Sequence, residues 1–218
     1  MKTKLLSVLC AVCVFFFLLT AAIGLPIYIR PFYYAHIDAF DLPAMSGYTA
    51  EEIRAAYDEV LDYLTLPGRE FGTGVLPHSQ EGKAHFEDCK VLFDLNAGLL
   101  IGSAAVLAVL FAMRKKWGPY RIGNHSAYFW AAVLSVTAPI MIGSLAALDF
   151  DRAFVIFHSL FFPGKTNWVF DWYTDQIIRV LPQEFFMNCA ILIGVGLITM
   201  AMGILVWDGI HHNRRGDS

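Results

Sequence analysis

The chain has 218 residues, of which 57% are hydrophobic and 16% charged, with a net charge of −3 and a mean hydropathy of +0.53. A soluble domain of this size rarely has so apolar a composition, and nothing in the charge balance points to a nucleic-acid partner. The chain reads instead as an all-α polytopic membrane protein, a single membrane domain.

Crossing about 30 Å of hydrocarbon takes about 20 apolar residues in a helix. Four runs meet that length: Leu5 to Ile29, Val91 to Met113, His125 to Leu148, and Phe185 to Trp207. The first follows Lys2 and Lys4 and includes Thr20-Ala21-Ala22, as a cleavable signal would. It continues through Leu25, Ile27 and Ile29, however, and reads as a retained anchor helix. Cys10 and Cys13 lie inside this run without the polar surroundings of a zinc or redox site, and are expected to serve packing.

A long loop, residues 30–90, comes next. Its start, Pro31 to Gly47, is aromatic and turn-rich and suits a membrane interface. Thr49 and Glu52 form a capping box ahead of Ile53, Ala56, Tyr57, Val60, Leu61 and Leu64, which share one helical face. Glu51, Arg54, Asp58, Glu59 and Asp62 occupy the other face, and Leu66-Pro67-Gly68 ends the helix. Helices that bind bilayer surfaces favour Lys and Arg, so this acidic one is expected to pack on protein. Glu70 to His78, with Gly72, Gly74 and Pro77, predicts a small β hairpin or an irregular cap.

Orientation follows from the basic residues. Lys2 and Lys4, then Arg114, Lys115, Lys116 and Arg121 in the loop 114–124, then His211, His212, Arg214 and Arg215 in the tail 208–218 flank the apolar runs on one side. From Arg30 to Lys90, 11 acidic residues oppose 5 basic ones. The positive-inside rule places both termini in the cytoplasm. The loops 30–90 and 149–184 then form an extracellular cap on the cell membrane.

Two histidines stand out in that cap. His85, Asp88 and Cys89 lie at i, i+3 and i+4, one face of a helix starting near Gly82, where Asp88 is placed to hold the His85 ring. A helix start whose charges merely complement the dipole is the plainer reading of the same residues. His158 interrupts Phe154, Val155, Ile156, Phe157, Leu160, Phe161 and Phe162, surroundings in which a polar ring needs a partner. Its plainer reading is a satisfied histidine in an aromatic belt. Trp168, Asp171, Tyr173, Asp175 and Glu184 complete the polar lining. Cys89 and Cys189 fall near the same membrane edge, and their spacing leaves a disulfide between them open.

His85-Phe86-Glu87-Asp88-Cys89-Lys90, followed by Phe157-His158-Ser159-Leu160-Phe161-Phe162, Trp168, Asp171, Thr174-Asp175 and Pro182-Gln183-Glu184-Phe185-Phe186, resembles the bacterial four-helix membrane family that includes the lipoprotein intramolecular transacylase. The resemblance covers nearly the whole chain. Two positions depart from the family pattern: Cys89 replaces an aliphatic residue and Gln183 an acidic one. The first departure argues against a cysteine nucleophile.

The resemblance implies an acyltransferase acting on a diacylated lipoprotein N-terminus, a modification made by Gram-positive bacteria. One acyl chain moves from the glycerol of the N-terminal cysteine to its α-amine, giving the lyso form. Such a reaction is downhill and intramolecular, and the chain has no phosphate-cradling glycine motif, so no cofactor and no metal are expected. Histidine suits the base, its ordinary pKa of about 6.5 lying near that of an α-amine, about 7.7–8.0. A second histidine, a backbone N–H or Lys90 can stabilise the oxyanion, and the sequence does not divide the roles of His85 and His158. Two readings compete. In one, His85, Asp88, His158 and Asp171 or Asp175 ligate zinc in a membrane hydrolase, although no tight ligand spacing supports it. A non-enzymatic outer-leaflet binding or accessory protein is the other.

Overall fold

The computed structural model describes residues 2–117 and 119–216, with side chains from 3 to 116 and from 119 to 210. Its helices are α1 (Lys2–Tyr28), α2 (Arg30–Ala39), α3 (Leu42–Ser46), α4 (Ala50–Thr65), α5 (Gln80–Trp117), α6 (Ala127–Ala146), α7 (Phe150–Phe161) and α8 (Gln183–Gly216). A 3₁₀ turn covers Gln176–Arg179, and β1 (Arg121–Ile122) pairs antiparallel with β2 (His125–Ser126). Helices α1, α5, α6 and α8 are long and apolar enough to cross a membrane. The side chains of the basic flank at His211, His212, Arg214 and Arg215 lie outside the described residues.

Two units emerge from the internal packing. One comprises residues up to 25, 96–145 and from 191 onward; the other comprises 26–95 and 146–190. In the first, Cys10, Val14, Leu18 and Ala22 recur along one stripe of α1 and are buried with Ala131 and Ala132 of α6 and Leu197 and Ala201 of α8. Small residues on such a seam let helix backbones approach closely, the usual way spans associate without a hydrophobic driving force between them. Cys10 and Cys13 are free, buried thiols. Outward-facing residues are just as apolar: Val109, Phe111, Met141 and Leu145 are all exposed, as lipid-facing surfaces require.

The strand pair lies between α5 and α6, so His125 and Ser126 belong to a tight hairpin and α6 begins at Ala127. Glu70 to His78 forms turns without strands, the irregular one of the two expected caps.

The second unit is the cap, built around α4. Thr49 and Glu52 make the full capping box, and the buried residues of α4 are Ile53, Ala56, Tyr57, Val60, Leu61 and Leu64. Residues 31–47, which read as interfacial turns, are instead mostly helical. Pro31 falls in the first turn of α2, where its missing N–H costs nothing. That places Tyr33 and Ile37 one turn apart, facing α4. The Tyr33 ring stacks on Tyr57 at 3.7 Å between centroids, and its hydroxyl donates to the Val180 carbonyl at 2.7 Å. Arg30 ties α2 to the polar side of α4 through Asp58, at 2.8 Å, and Asp62. Phe86 of α5 and Phe185 of α8 join the same core, which fixes the first turns of both long helices in the cap.

Candidate active site

His85 lies in the second turn of α5, and His158 near the end of α7. Asp149 starts α7 by accepting from the Arg152 N–H at 2.9 Å. The helix is amphipathic in an inverted sense: Val155, Ile156, Phe157, Leu160 and Phe161 are exposed while His158 is buried. The two imidazoles meet with ring centroids 5.8 Å apart. Only 6% of His85 and 7% of His158 reach solvent. Phe162 and Phe170 wall the His85 ring at 5.0 and 5.4 Å. Phe154 and Trp168 hold the His158 ring from two sides at 4.2 and 4.6 Å, the indole being stacked.

The ring nitrogens are differentiated. His158 Nδ1 lies 2.8 Å from the Phe154 carbonyl. A carbonyl only accepts, so Nδ1 carries the proton and Nε2 presents a lone pair. Burial pushes the His158 pKa below the ordinary histidine value, partly offset by that carbonyl bond. His85 Nε2 lies 3.4 Å from Cys89 Sγ, whereas its Nδ1 is buried with no hydrogen-bond partner among the described residues.

Asp88 shares the face of His85 but does not hold its ring. Its carboxylate pairs with Lys165 and accepts from Asn167 Nδ2 at 3.0 Å. Those partners arrive through a reversal after α7. The Phe162 N–H closes the helix on the His158 carbonyl at 2.8 Å, Gly164 takes a left-handed φ of 74°, and Lys165 N–H returns to the Phe162 carbonyl at 3.1 Å. A side chain at Gly164 would strain that conformation. The Trp168 indole Nε1–H then donates to the Lys165 carbonyl at 3.0 Å, which holds the indole against His158.

The remaining predicted site residues do other work. Lys90, five positions beyond His85 and therefore on another face of α5, donates to the Tyr63 carbonyl at 2.7 Å. It is engaged by α4, away from the two rings' shared face. Asp171 is exposed and caps a turn, accepting from the Tyr173 and Thr174 N–H groups at 2.9 Å each. Asp175 is buried and clasps the start of α5, accepting from Ser79 N–H at 2.8 Å and Ser79 Oγ at 3.0 Å. Glu184 is exposed in the first turn of α8, where it complements the helix dipole. The zinc set is therefore not assembled: among the described residues no three His, Cys, Asp or Glu side chains are grouped so as to hold a metal ion. Cys89 and Cys189 are free thiols within the cap core. Gln183 donates to Asp151 of α7, a bond that an acidic residue at this position would replace with repulsion.

Sequence reasoning missed Asn167, Lys165 and Phe170. The polar run Lys165-Thr166-Asn167 beside Trp168, after Pro163-Gly164, was the available signal.

Residues 8–186 match the family model described as lipoprotein intramolecular transacylase Lit. The chain belongs to this family. The transacylase fold is also clear from solved structures. The in meso structure of the membrane integral lipoprotein intramolecular transacylase Lit from Bacillus cereus superposes with a TM-score of 0.90 at 24% identity, over 100% of this chain and 99% of that one. Two further structures of that enzyme, with a histidine replaced by alanine and by arginine, each give a TM-score of 0.82 at 24% identity, over 100% of this chain and 96% and 95% of theirs. A protein of Aquifex aeolicus (strain VF5), described as uncharacterized, is 24% identical over 122 residues, 56% of this chain. The match spans about half, 51%, of that curated relative's length. Transacylase family membership and four apolar helices together make the chain a multi-pass membrane protein.

Proposed function

We propose that this transacylase-family chain moves one acyl chain from the diacylglyceryl group of a lipoprotein N-terminal cysteine to that cysteine's α-amine, at the extracellular face of the membrane. The observation that carries the reading is the pair of buried imidazoles 5.8 Å apart, each with one ring nitrogen left open. The exposed apolar side of α7 supports it too, because the chains of a lipid substrate can stay in hydrocarbon while the ester reaches His158.

The open nitrogens support a division of labour. His158 Nε2 takes a proton from the attacking amine as nitrogen bonds to the ester carbon. With the Cys89 thiol donating to His85 Nε2, His85 Nδ1–H is a neutral donor for the tetrahedral oxyanion. Collapse breaks the bond to the glycerol oxygen, and His158 returns the proton to that oxygen. Amide and free hydroxyl result, with no net proton change. Burial of both rings keeps competing water away from the ester.

The decisive experiment is mass spectrometry of a lipoprotein N-terminus from cells with and without the gene. The reading requires an N-acyl, S-monoacylglyceryl cysteine only where the gene is present. An acyl chain that stays on glycerol in both overturns it.

Two predictions follow from the nitrogens. Because burial lowers the His158 pKa, the base is already neutral at pH 7, and its limb lies below about pH 6.5. Initial rates with a diacylated lipopeptide in detergent should therefore climb between about pH 7 and 8.5, as the α-amine deprotonates. A falling limb in that range would mean that His85 acts as an imidazolium, against the neutral-donor assignment. Cys89→Val, in turn, should stay within about tenfold of the wild-type rate, since a thiol is a weak donor that orients His85 without reacting. An acyl thioester trapped on Cys89 at the turnover rate would reverse that conclusion.

A further inference from the structure

Asn167 has no part in either role assigned above, yet it is tied to the neighbours of both histidines. It follows the Gly164 reversal, precedes Trp168, and binds Asp88, one turn along α5 from His85. Its orientation is not ambiguous. A carboxylate offers only acceptors, so the nitrogen of the Asn167 amide must be the atom that faces Asp88, 3.0 Å away. The oxygen, Oδ1, is then turned the other way. It is buried and has no hydrogen-bond partner among the described residues. An unpaired buried acceptor costs about 1–3 kcal/mol, so such an atom calls for a partner from outside the chain, a water or a ligand group.

We infer that Asn167 Oδ1 is the acceptor that recognises the substrate's α-amine and sets it for attack, making Asn167 the residue that specifies nitrogen as the nucleophile. The inference rests on the transacylase reading and deepens it. The chemistry of the neighbours fits an amine that must bind and then react. A bare carboxylate at this place would hold the amine as an ammonium, which has no lone pair for attack. Asp88 is not bare, because Lys165 takes up its charge. What remains for the amine is a neutral carbonyl-type oxygen, which accepts an N–H from the ammonium and from the free amine alike. Binding then does not trap the unreactive form. Asp88 and Lys165 are positioning residues in this arrangement: they aim the amide and shield the charge.

The test is equilibrium binding to the full-length protein in detergent micelles, with a lipopeptide whose two glycerol esters are replaced by non-transferable ethers. Its partner probe is the same molecule lacking the α-amine. Wild type should prefer the amine-bearing probe by about tenfold or more, the value of one good hydrogen bond to a charged or chargeable group. Asn167→Ala should bring the two probes within about twofold of each other, while the affinity for the desamino probe stays at the wild-type level and so reports an intact fold. Equal affinities in wild type overturn the inference without any variant being needed, as does a loss in Asn167→Ala that falls equally on both probes. Failure of the transacylase reading would show separately, as wild-type protein that binds the probes but never transfers a chain from the ester-linked lipopeptide.

Discussion

Turnover of a diacylated lipopeptide falls by at least about 10²-fold when His158 is replaced by alanine, the low end for a positioned base, and His85→Ala costs about 10²–10³-fold, the usual loss for an oxyanion donor. Asparagine substitutions separate the two roles. An amide N–H can still donate, so His85→Asn recovers part of the rate lost in His85→Ala. An amide nitrogen has no basic lone pair, so His158→Asn recovers nothing. Single-turnover rates of the four purified variants decide the matter, with thermal unfolding in detergent to verify that each is folded. Equal recovery at both positions would reject the division of labour, and near wild-type rates in either alanine variant would assign that ring to packing.

Gly82→Val has the largest expected structural effect. A Cβ at Gly82 would lie 2.1 Å from Asp175 Oδ1 and 2.9 Å from its Cγ, too close for any rotamer to absorb while the Ser79 bonds persist. The clasp must open, parting the buried Asp175 carboxylate from the Ser79 N–H and hydroxyl that precede α5, at a cost of roughly 3 kcal/mol. His85 sits one turn further along the same helix, so activity should fall with stability. The expected readout is a drop in Tm together with a rate loss in the variant at temperatures where it remains folded. Unchanged Tm would show that the loop carrying Asp175 yields freely, and that the clasp does not set the position of His85.

What could be read from the sequence was what short-range physics dictates. The capping box and the 3–4 spacing of apolar residues defined α4 down to its buried face. The four apolar runs needed only length, and His158 announced itself by interrupting aromatic residues. Partners across long sequence separations were not legible. Asp88 looked like the holder of His85 because both share one face of α5, yet Lys165 and Asn167 claim it from 77 and 79 residues away, through a reversal made by Gly164. Asp175 looked like pocket lining and is a helix clasp, again because its partner, Ser79, lies 96 residues away. The α2 segment was misjudged for a different reason: its aromatic side chains and prolines suggest an interface, whereas Pro31 at a helix start and Tyr33 stacked on Tyr57 make it part of the core. The strand pair at 121–126 has two residues on each side, too few to register as periodicity.

The bond from His158 Nδ1 to the Phe154 carbonyl has a consequence for how protons travel in the proposed reaction. Because that nitrogen is pinned, a proton can arrive and depart only at the opposite ring nitrogen, Nε2. The ring works as a one-sided valve: whatever it borrows from the amine it hands back to the same molecule. On the proposed reaction, once the amine is neutral, the transfer itself exchanges no proton with the surrounding medium and uses no energy carrier. The pH of the medium then enters the proposed reaction only through the resting protonation of the amine and of the ring.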